Sequence, residues 1–367
     1  MTIRVGLIGF GLSGRIFHAP FVINDAEMEM AYVCSSKPDE VKATLSDWRA
    51  SDWSAPDIVV APTAEVVFEA EDVDLVVITT PNNLHFDQAK QALEKGKHVL
   101  LEKPSVTTIS EIESLCTLAK EKGLIFCVYQ NRRFDGDFQR LKALINSDEL
   151  GELKQLESRF DRFRPQPQAR WREELGVGTG IFWDLGPHLF DQALCLLGAP
   201  DWVQASIDVL REGGQTADTF EMELGYGDKR IRLGHSSFEA GEMRRFNARF
   251  TQGSWQCVGL DPQEGALRAG QMPWKEDFPS KAKEQSNTRF IAPTPETIAE
   301  VQEEPTQGEY AAFYAQLRDA ILCKRGVGHE KQPVSMEHAC QLVYGLCLAE
   351  ESAKSGRRLL WDYVPNI

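Results

Sequence analysis

Through the first third of the chain, short aliphatic runs alternate with amphipathic stretches. The runs fall at residues 3–8, 28–34, 58–61, 75–79, 98–101 and 125–129. A strand with one wet face alternates polar and apolar residues, whereas a strand covered on both faces is continuously aliphatic, so these six read as a buried parallel sheet. Between them, residues 15–23, 39–48, 83–95 and 110–122 carry helical patterning. Strand-helix alternation of this kind predicts a doubly wound α/β domain.

Near residue 150 the period changes. Residues 153–160, 202–210, 219–225, 230–237, 245–251 and 255–258 alternate polar with apolar positions, separated by turns such as Gly225-Tyr226-Gly227-Asp228 and Gln252-Gly253. This predicts an α+β domain with a large open, mostly antiparallel sheet and helices on one side. Residues 261–308 are polar and proline-bearing, and are expected to form a long excursion with little regular structure. Helical patterns at 309–322 and 335–353 close the chain. The expected fold class is α/β, with a Rossmann domain over residues 1–130 and a substrate-binding and oligomerisation domain over 131–367.

The 367 residues are enough for two domains with sizeable cores. Lys and Arg number 40 against 55 Asp and Glu, a formal charge of −15. That balance argues against nucleic acid or anionic membrane as a partner and points to a small molecule, although a local basic patch can still hold a phosphate. The eight cysteines, Cys34, Cys116, Cys127, Cys195, Cys257, Cys323, Cys340 and Cys347, lie mostly in apolar segments and never in C-x-x-C spacing. Scattered buried thiols fit a reducing compartment and carry no zinc signature, so no metal is expected. The N-terminus has no leader-like segment and no apolar span has membrane length, so a cytoplasmic location is expected.

Gly9-Phe10-Gly11-Leu12-Ser13-Gly14 matches G-x-G-x-x-G between the first strand and the first helical stretch. In that setting the first glycine permits a tight turn, the second lets the backbone approach a pyrophosphate, and the third lets the helix pack on the strand. The helix N-terminus then offers free N–H groups to the phosphates. An acidic residue about 20 positions further on would bind the ribose 2′-hydroxyl of NAD. Here the second strand ends Val33-Cys34-Ser35-Ser36-Lys37-Pro38, with no carboxylate before Asp39. Two hydroxyls and a lysine suit a 2′-phosphate, so NADP is the expected cofactor and NAD the alternative.

The fifth run, His98-Val99-Leu100-Leu101, ends in Glu102-Lys103-Pro104. Open α/β sheets bind ligands at the carboxyl ends of their strands, so a lysine there is placed to serve a hydroxyl or carbonyl as charge or proton donor.

Together with Thr79-Thr80-Pro81-Asn82, Leu84-His85, Gly96-Lys97-His98-Val99 and Asp184-Leu185-Gly186-Pro187-His188, these motifs resemble the Gfo/Idh/MocA oxidoreductases. Gly308-Glu309-Tyr310 with Phe313-Tyr314 is similar to that family's closing helix, so the resemblance runs essentially end to end. It implies that Lys103 is the catalytic lysine, that Asp184 and His188 form a D-x-x-x-H pair at the substrate, and that Asn82 lies near the ribose and nicotinamide. Gln130-Asn131-Arg132-Arg133 and Asp161-Arg162-Phe163-Arg164-Pro165 are further similar to a branch containing NADP-dependent scyllo-inositol dehydrogenases. The expected cofactor contacts are Gly9, Phe10, Gly11, Leu12, Ser13, Gly14, Ser35, Ser36, Lys37, Thr80, Pro81, Asn82, His85, Glu102, Lys103, Asn131 and Arg132.

Gly186-Pro187 reads as a helix start, because proline suits a first turn, and residues 189–197 continue it. Asp184 then falls just before the helix and His188 in its first turn. The positive helix end disfavours an imidazolium and a nearby carboxylate favours it, so a His188 pKa near neutrality is expected. The chemistry implied is hydride transfer between a nicotinamide and a hydroxyl or ketone of a cyclic polyol or sugar. His188 would act as base, Lys103 would bond the same oxygen, and Asp184 would anchor a neighbouring hydroxyl. Arg162, Arg164, Arg170 and Trp171 lie in a proline-broken loop and are candidates for the pocket wall. An aldose 1-dehydrogenase, a dihydrodiol dehydrogenase and a dinucleotide sensor without turnover are the alternative readings. An apolar sheet face left exposed would be a liability, so a homodimer or homotetramer is expected.

Overall fold

The continuous aliphatic runs become β1 (Ile3–Ile8), β2 (Met28–Cys34), β3 (Val59–Ala61), β4 (Leu75–Ile78), β5 (His98–Leu101) and β6 (Phe126–Val128). The computed structural model describes residues 2–50, 57–169, 171–279, 285–324 and 332–367. All neighbours in this first sheet are parallel, in the order β3-β2-β1-β4-β5-β6. The connecting helices are α1 (Ala19–Asn24), α2 (Pro38–Ala50), α3 (Ala64–Glu69), α4 (His85–Glu94) and α5 (Ile109–Glu121). Leu75 to Ile78 and Val99 to Leu101 are fully buried, which is why neither strand can afford a polar face. The strand order reverses between β1 and β4, so the loops leaving their carboxyl ends diverge and open a crevice.

After α6 (Gly136–Ser147) comes a nine-stranded sheet. Its strands are β7 (Leu153–Arg159), β8 (Trp202–Asp208), β9 (Thr219–Tyr226), β10 (Lys229–His235), β11 (Arg244–Phe250), β12 (Gly253–Val258), β13 (Ser286–Thr294), β14 (Thr297–Glu303) and β15 (Leu359–Leu360). They lie in the order β14-β13-β12-β11-β7-β10-β9-β8-β15, antiparallel throughout except for the β7–β10 pair. One face packs on α7 (Gly180–Leu197) and part of α10 (Met336–Ser355). The outward positions of the central strands pair charges instead, as in Arg159–Glu221 and Arg249–Glu157. The exposed apolar face expected from the sequence is therefore not present on those strands.

Two expectations need correction. Residues 261–308 were expected to lack regular structure, yet they contain α8 (Gln263–Arg268) and the β13–β14 hairpin. That hairpin sits at the sheet edge and is held by its ladder to β12 and by ion pairs such as Arg289–Glu303 (3.0 Å), so its composition shows no apolar face. The second concerns α7, which starts at Gly180 and carries Pro187 in its interior. Proline there removes one helical hydrogen bond, at a cost of roughly 3 kcal/mol. Burial of Phe182, Trp183, Leu185 and Leu189 offsets it, at roughly 1.5–3 kcal/mol for each side chain fully removed from water.

The two cores are tied by the closing helices. α10 contributes Ala339, Cys340 and Val343 to the first core and Leu342, Leu346 and Ala349 to the second. Tyr310 and, on α9 (Ala311–Lys324), Phe313, Tyr314, Leu317 and Ile321 also join the first core, so a segment assigned by sequence to the second domain returns to the Rossmann side. Among the described residues, no helix is long and apolar enough to cross a membrane.

Arg133, just after β6, grips Asp191 of α7 through two bonds of 2.8 and 2.6 Å, and His338 of α10 adds a third at 2.9 Å. Asp191, Cys195 and His338 come within metal-ligand reach of one another, but the guanidinium already holds both carboxylate oxygens and its charge opposes a cation. Removing one member of a buried pair strands the other in a poor solvent for charge. Arg133→Ala is thus expected to cost about 3–5 kcal/mol of unfolding free energy in urea titrations. The double variant Arg133→Met with Asp191→Leu should recover most of it. A loss below about 1 kcal/mol in the single variant would mean the pair adds no more than a surface one.

Candidate active site

Three glycines shape the loop after β1 for three different reasons. Gly9 has φ +94°, and a Cβ there would lie 2.7 Å from Thr79 Oγ1. At Gly14 a Cβ would fall 2.3 Å from the Gly9 carbonyl oxygen. Gly11 has nothing within 4 Å, leaving bare backbone toward the crevice for a ligand to approach. Thr79 Oγ1 donates to the Gly9 carbonyl at 2.9 Å, which fastens the β1 loop to the β4 loop. A π-helical turn, Gly14–His18, then leads into α1.

Below this loop, Glu102 at the end of β5 is buried and fully engaged. Its Oε1 accepts from Ser13 Oγ and lies 3.0 Å from His18 Nε2, and its Oε2 accepts from the Lys103 backbone N–H at 2.8 Å. His18 Nδ1 is in turn 2.6 Å from the Tyr314 hydroxyl on α9. Burial alone would raise the Glu102 pKa, but His18, Lys103 and Ser13 together bring it down to about 2. A fixed negative charge thus joins the phosphate loop to the backbone of Lys103.

Lys103 reaches across the crevice to α7, donating to Asp184 Oδ1 at 2.8 Å and to the Asp184 carbonyl at 2.9 Å. Asp184 and His188 are four residues apart in one helix, so both look the same way. Burial pushes the Asp184 pKa up, but Lys103 and Arg172 hold it well below the usual carboxylate range. His188 shows the opposite balance. Burial, then Lys103 and Arg132, drive its pKa well below the ordinary value against the pull of Asp184. The expected pKa near neutrality is thus replaced by a neutral imidazole, because His188 sits mid-helix among cations rather than at a helix end. Its Nδ1 is buried with no hydrogen-bond partner.

These groups line one cleft of about 1040 Å³. An ordinary small-molecule site runs to roughly 300–1,000 Å³, so there is room for an extended dinucleotide and a second ligand. Gly9, Phe10, Gly11, Leu12, Ser13, Ser35, Ser36, Lys37, Thr80, Pro81, Asn82, His85, Glu102, Lys103, Asn131 and Arg132 all border it, as do Arg162, Arg164, Asp184 and His188. Gly14 does not border it and packs behind, against Gly9. Arg170 lies outside the described residues, as does the side chain of Trp171.

Several predicted side chains are already occupied. His85 holds the carbonyls of Thr80 and Pro104, each at 2.9 Å, bracing the loops from inside. Asn82 donates to the Val177 and Gly178 carbonyls at 3.1 and 2.9 Å, securing the segment just before α7. Lys37 pairs with Glu40 at 2.8 Å on the surface. Arg132 is anchored by Asp135 at 3.2 Å and by Glu264 of α8. Tyr314 entered only through the resemblance of the closing helix, and His18, Glu264 and Thr216 were not singled out from the sequence. They arrive from distant segments without a local motif, and Glu264 comes from the stretch read as irregular.

Comparison with known proteins agrees with this architecture. Residues 3–130 match the oxidoreductase family with an NAD-binding Rossmann fold, and residues 138–256 match the GFO/IDH/MocA C-terminal domain. The chain is 40% identical to the uncharacterized oxidoreductase YdgJ of Escherichia coli, over 96% of this chain and 97% of that one. It is 34% identical to the scyllo-inositol 2-dehydrogenase (NADP(+)) IolW of Bacillus subtilis, over 99% of this chain and 97% of that one. Among solved structures, YPO2259 from Yersinia pestis superposes with a TM-score of 0.89 at 36% identity, covering 99% of this chain and 98% of the other.

The Glu102 network gives a stability test. A carboxylate held at about 2 against an ordinary value of 4.5 is worth about 3 kcal/mol at neutral pH. Because the folded pKa is depressed, this contribution is complete above the ordinary value and is lost as pH falls through about 2. Glu102→Gln should therefore lose about 3 kcal/mol of unfolding free energy at pH 7, and less at pH 4. An equal loss at both pH values would show that shape, not charge, is what the residue supplies.

Proposed function

Since this chain belongs to the Gfo/Idh/MocA oxidoreductase family, we propose that it transfers a hydride between NADP and a CH–OH or carbonyl group of a cyclic polyol or sugar. The observation that carries this reading is the meeting of Lys103, Asp184 and His188 in a cleft that residues 9–13 of the phosphate loop also line. When bound, the nicotinamide exchanges hydride with the substrate carbon.

The chain has the features such a cofactor requires. Gly11 leaves open backbone where a Cβ would intrude on a pyrophosphate, and β2 ends in Ser35, Ser36 and Lys37 with no carboxylate to claim a 2′-hydroxyl. Among the described residues Lys37 pairs with the exposed Glu40, and such surface pairs are worth about 0–1 kcal/mol, so a 2′-phosphate can displace it. The name of the Bacillus relative, an NADP(+)-dependent inositol dehydrogenase, agrees with this preference.

The protein's own groups divide the proton work. His188 is neutral and can take the hydroxyl proton in oxidation, returning it in reduction. Lys103 donates to the same oxygen and stabilises its developing negative charge. Asp184 orients Lys103 through the 2.8 Å contact and offers its second oxygen to a neighbouring substrate hydroxyl.

Spectrophotometric assays across inositols and aldoses should show NADP⁺ reduction with a higher kcat/KM than NAD⁺ reduction. His188→Ala and Lys103→Ala should each lower kcat by about 10²–10³. Because the His188 pKa is depressed, its base form persists to lower pH, so kcat/KM for oxidation should stay level as pH falls through the ordinary value of 6.5. Full activity in either variant would overturn that residue's role, and a higher kcat/KM with NAD⁺ would overturn the cofactor assignment.

A further inference from the structure

Beyond Asp184 the cleft continues into a recess lined by Arg162, Arg164, Arg172, Arg211, Thr216 and the first residues of α7. Two carboxylates, Glu173 and Asp184, share it with those four guanidinium groups, in a chain whose net charge is −15. Both carboxylates are engaged. Asp184 holds Lys103 at 2.8 Å, with Arg172 at 3.9 Å, and Glu173 holds Arg211 at 3.2 Å. Arg211 is fastened again by Asp218 at 3.2 Å. Among the described residues, Arg162 and Arg164 have no carboxylate within salt-bridge distance. Burial lowers the Arg162 pKa, and Asp184 and Glu264, opposed by Arg164 and Arg132, do not make up for it.

Two further features point to the missing partner. α7 is 18 residues long and directs its N-terminus at the recess, where Gly180 and Ile181 form part of the wall. Its N-cap, Thr179, donates its hydroxyl to the Gly176 carbonyl at 2.8 Å and so does not cap this positive end; the Ala217 carbonyl takes the Ile181 N–H at 2.7 Å, which leaves the other N–H groups of the first turn for a ligand. Independently, Thr216 is only 7% exposed and its Oγ1 has no hydrogen-bond partner. Buried hydroxyls are normally satisfied, so an acceptor from a ligand fits here.

We propose that this recess is an anion subsite, and that the substrate is an acidic sugar or polyol whose carboxylate or phosphate is held by Arg162, Arg164, Thr216 and the N-terminus of α7. The proposal rests on the dehydrogenase reading and narrows it. At 1.5 Å per residue, Gly180 lies about 6 Å along the axis from Asp184 and about 12 Å from His188, so the anion belongs on a carbon remote from the reacting one. A neutral ring would leave the partly buried Arg162 without a paired carboxylate, whereas an oxyanion can accept from its guanidinium in bidentate fashion, with the exposed Arg164 beside it.

The test compares kcat/KM with NADP⁺ for D-gluconate, D-glucuronate and D-glucose 6-phosphate against scyllo-inositol and D-glucose. An acidic compound should exceed the neutral ones at least tenfold, and the carboxylate and phosphate arms tell which anion is used. Arg162→Leu should lower the acidic-to-neutral ratio about ten- to a hundredfold, Thr216→Val should lower it less, and Arg162→Lys should restore part of it. Preference for the neutral compounds, or an equal loss on both classes in Arg162→Leu, would overturn the subsite. Should none of the five be turned over, calorimetric titration of the NADP⁺-loaded protein with D-glucuronate and inorganic phosphate decides. Binding that is lost in Arg162→Leu upholds the subsite while counting against the dehydrogenase reading, and absence of binding in the unaltered protein overturns the subsite alone.

Discussion

The contact between Lys103 and Asp184 is the constraint on which the site depends. It joins the end of a buried strand in one domain to the second turn of a buried helix in the other, through both a carboxylate and a backbone carbonyl. Pro187 has no N–H for the carbonyl of Trp183, the residue just before the one where the ammonium docks. With side-chain exposures of 15% and 22%, the pair is dry enough to be strong yet still reachable from the cleft. Burial does most to keep His188 neutral, with the Lys103 charge adding to it and Asp184 opposing, so the lysine contributes to both the geometry and the protonation of the centre.

The cofactor side is built to hold that lysine in register. Glu102 takes the Lys103 backbone N–H with one oxygen and Ser13 of the phosphate loop with the other. A displacement of the loop would therefore be transmitted to the start of the lysine side chain. His18 and Tyr314 extend the same network to α9, which belongs in sequence to the second domain but packs in the first core. Arg133, Asp191 and His338 make a second bridge between the domains, so the cleft wall is supported at two separate places.

Much of this was legible from local pattern. Continuous aliphatics announced the parallel sheet, the spaced glycines announced the loop, and Glu102-Lys103-Pro104 was recognisable at a strand end. Errors arose where burial overrode local preference. Gly186-Pro187 looks like a helix start, yet burial of Phe182, Trp183 and Leu185 carries α7 through it from Gly180. β13 and β14 hide in a polar segment because an edge hairpin draws its stability from ladder hydrogen bonds and ion pairs rather than an apolar face.

By itself, the sequence determined the fold class, the phosphate loop and the residue types available for proton and charge transfer, because each depends on spacing within a short segment. The tertiary structure alone decided which partner each of those residues meets. Lys103 and Asp184 are 81 positions apart, and His18 and Tyr314 are 296 apart. Protonation and pairing are set by the charges within a few ångströms in a poorly polarisable interior, and no local pattern encodes neighbours brought together from such separations.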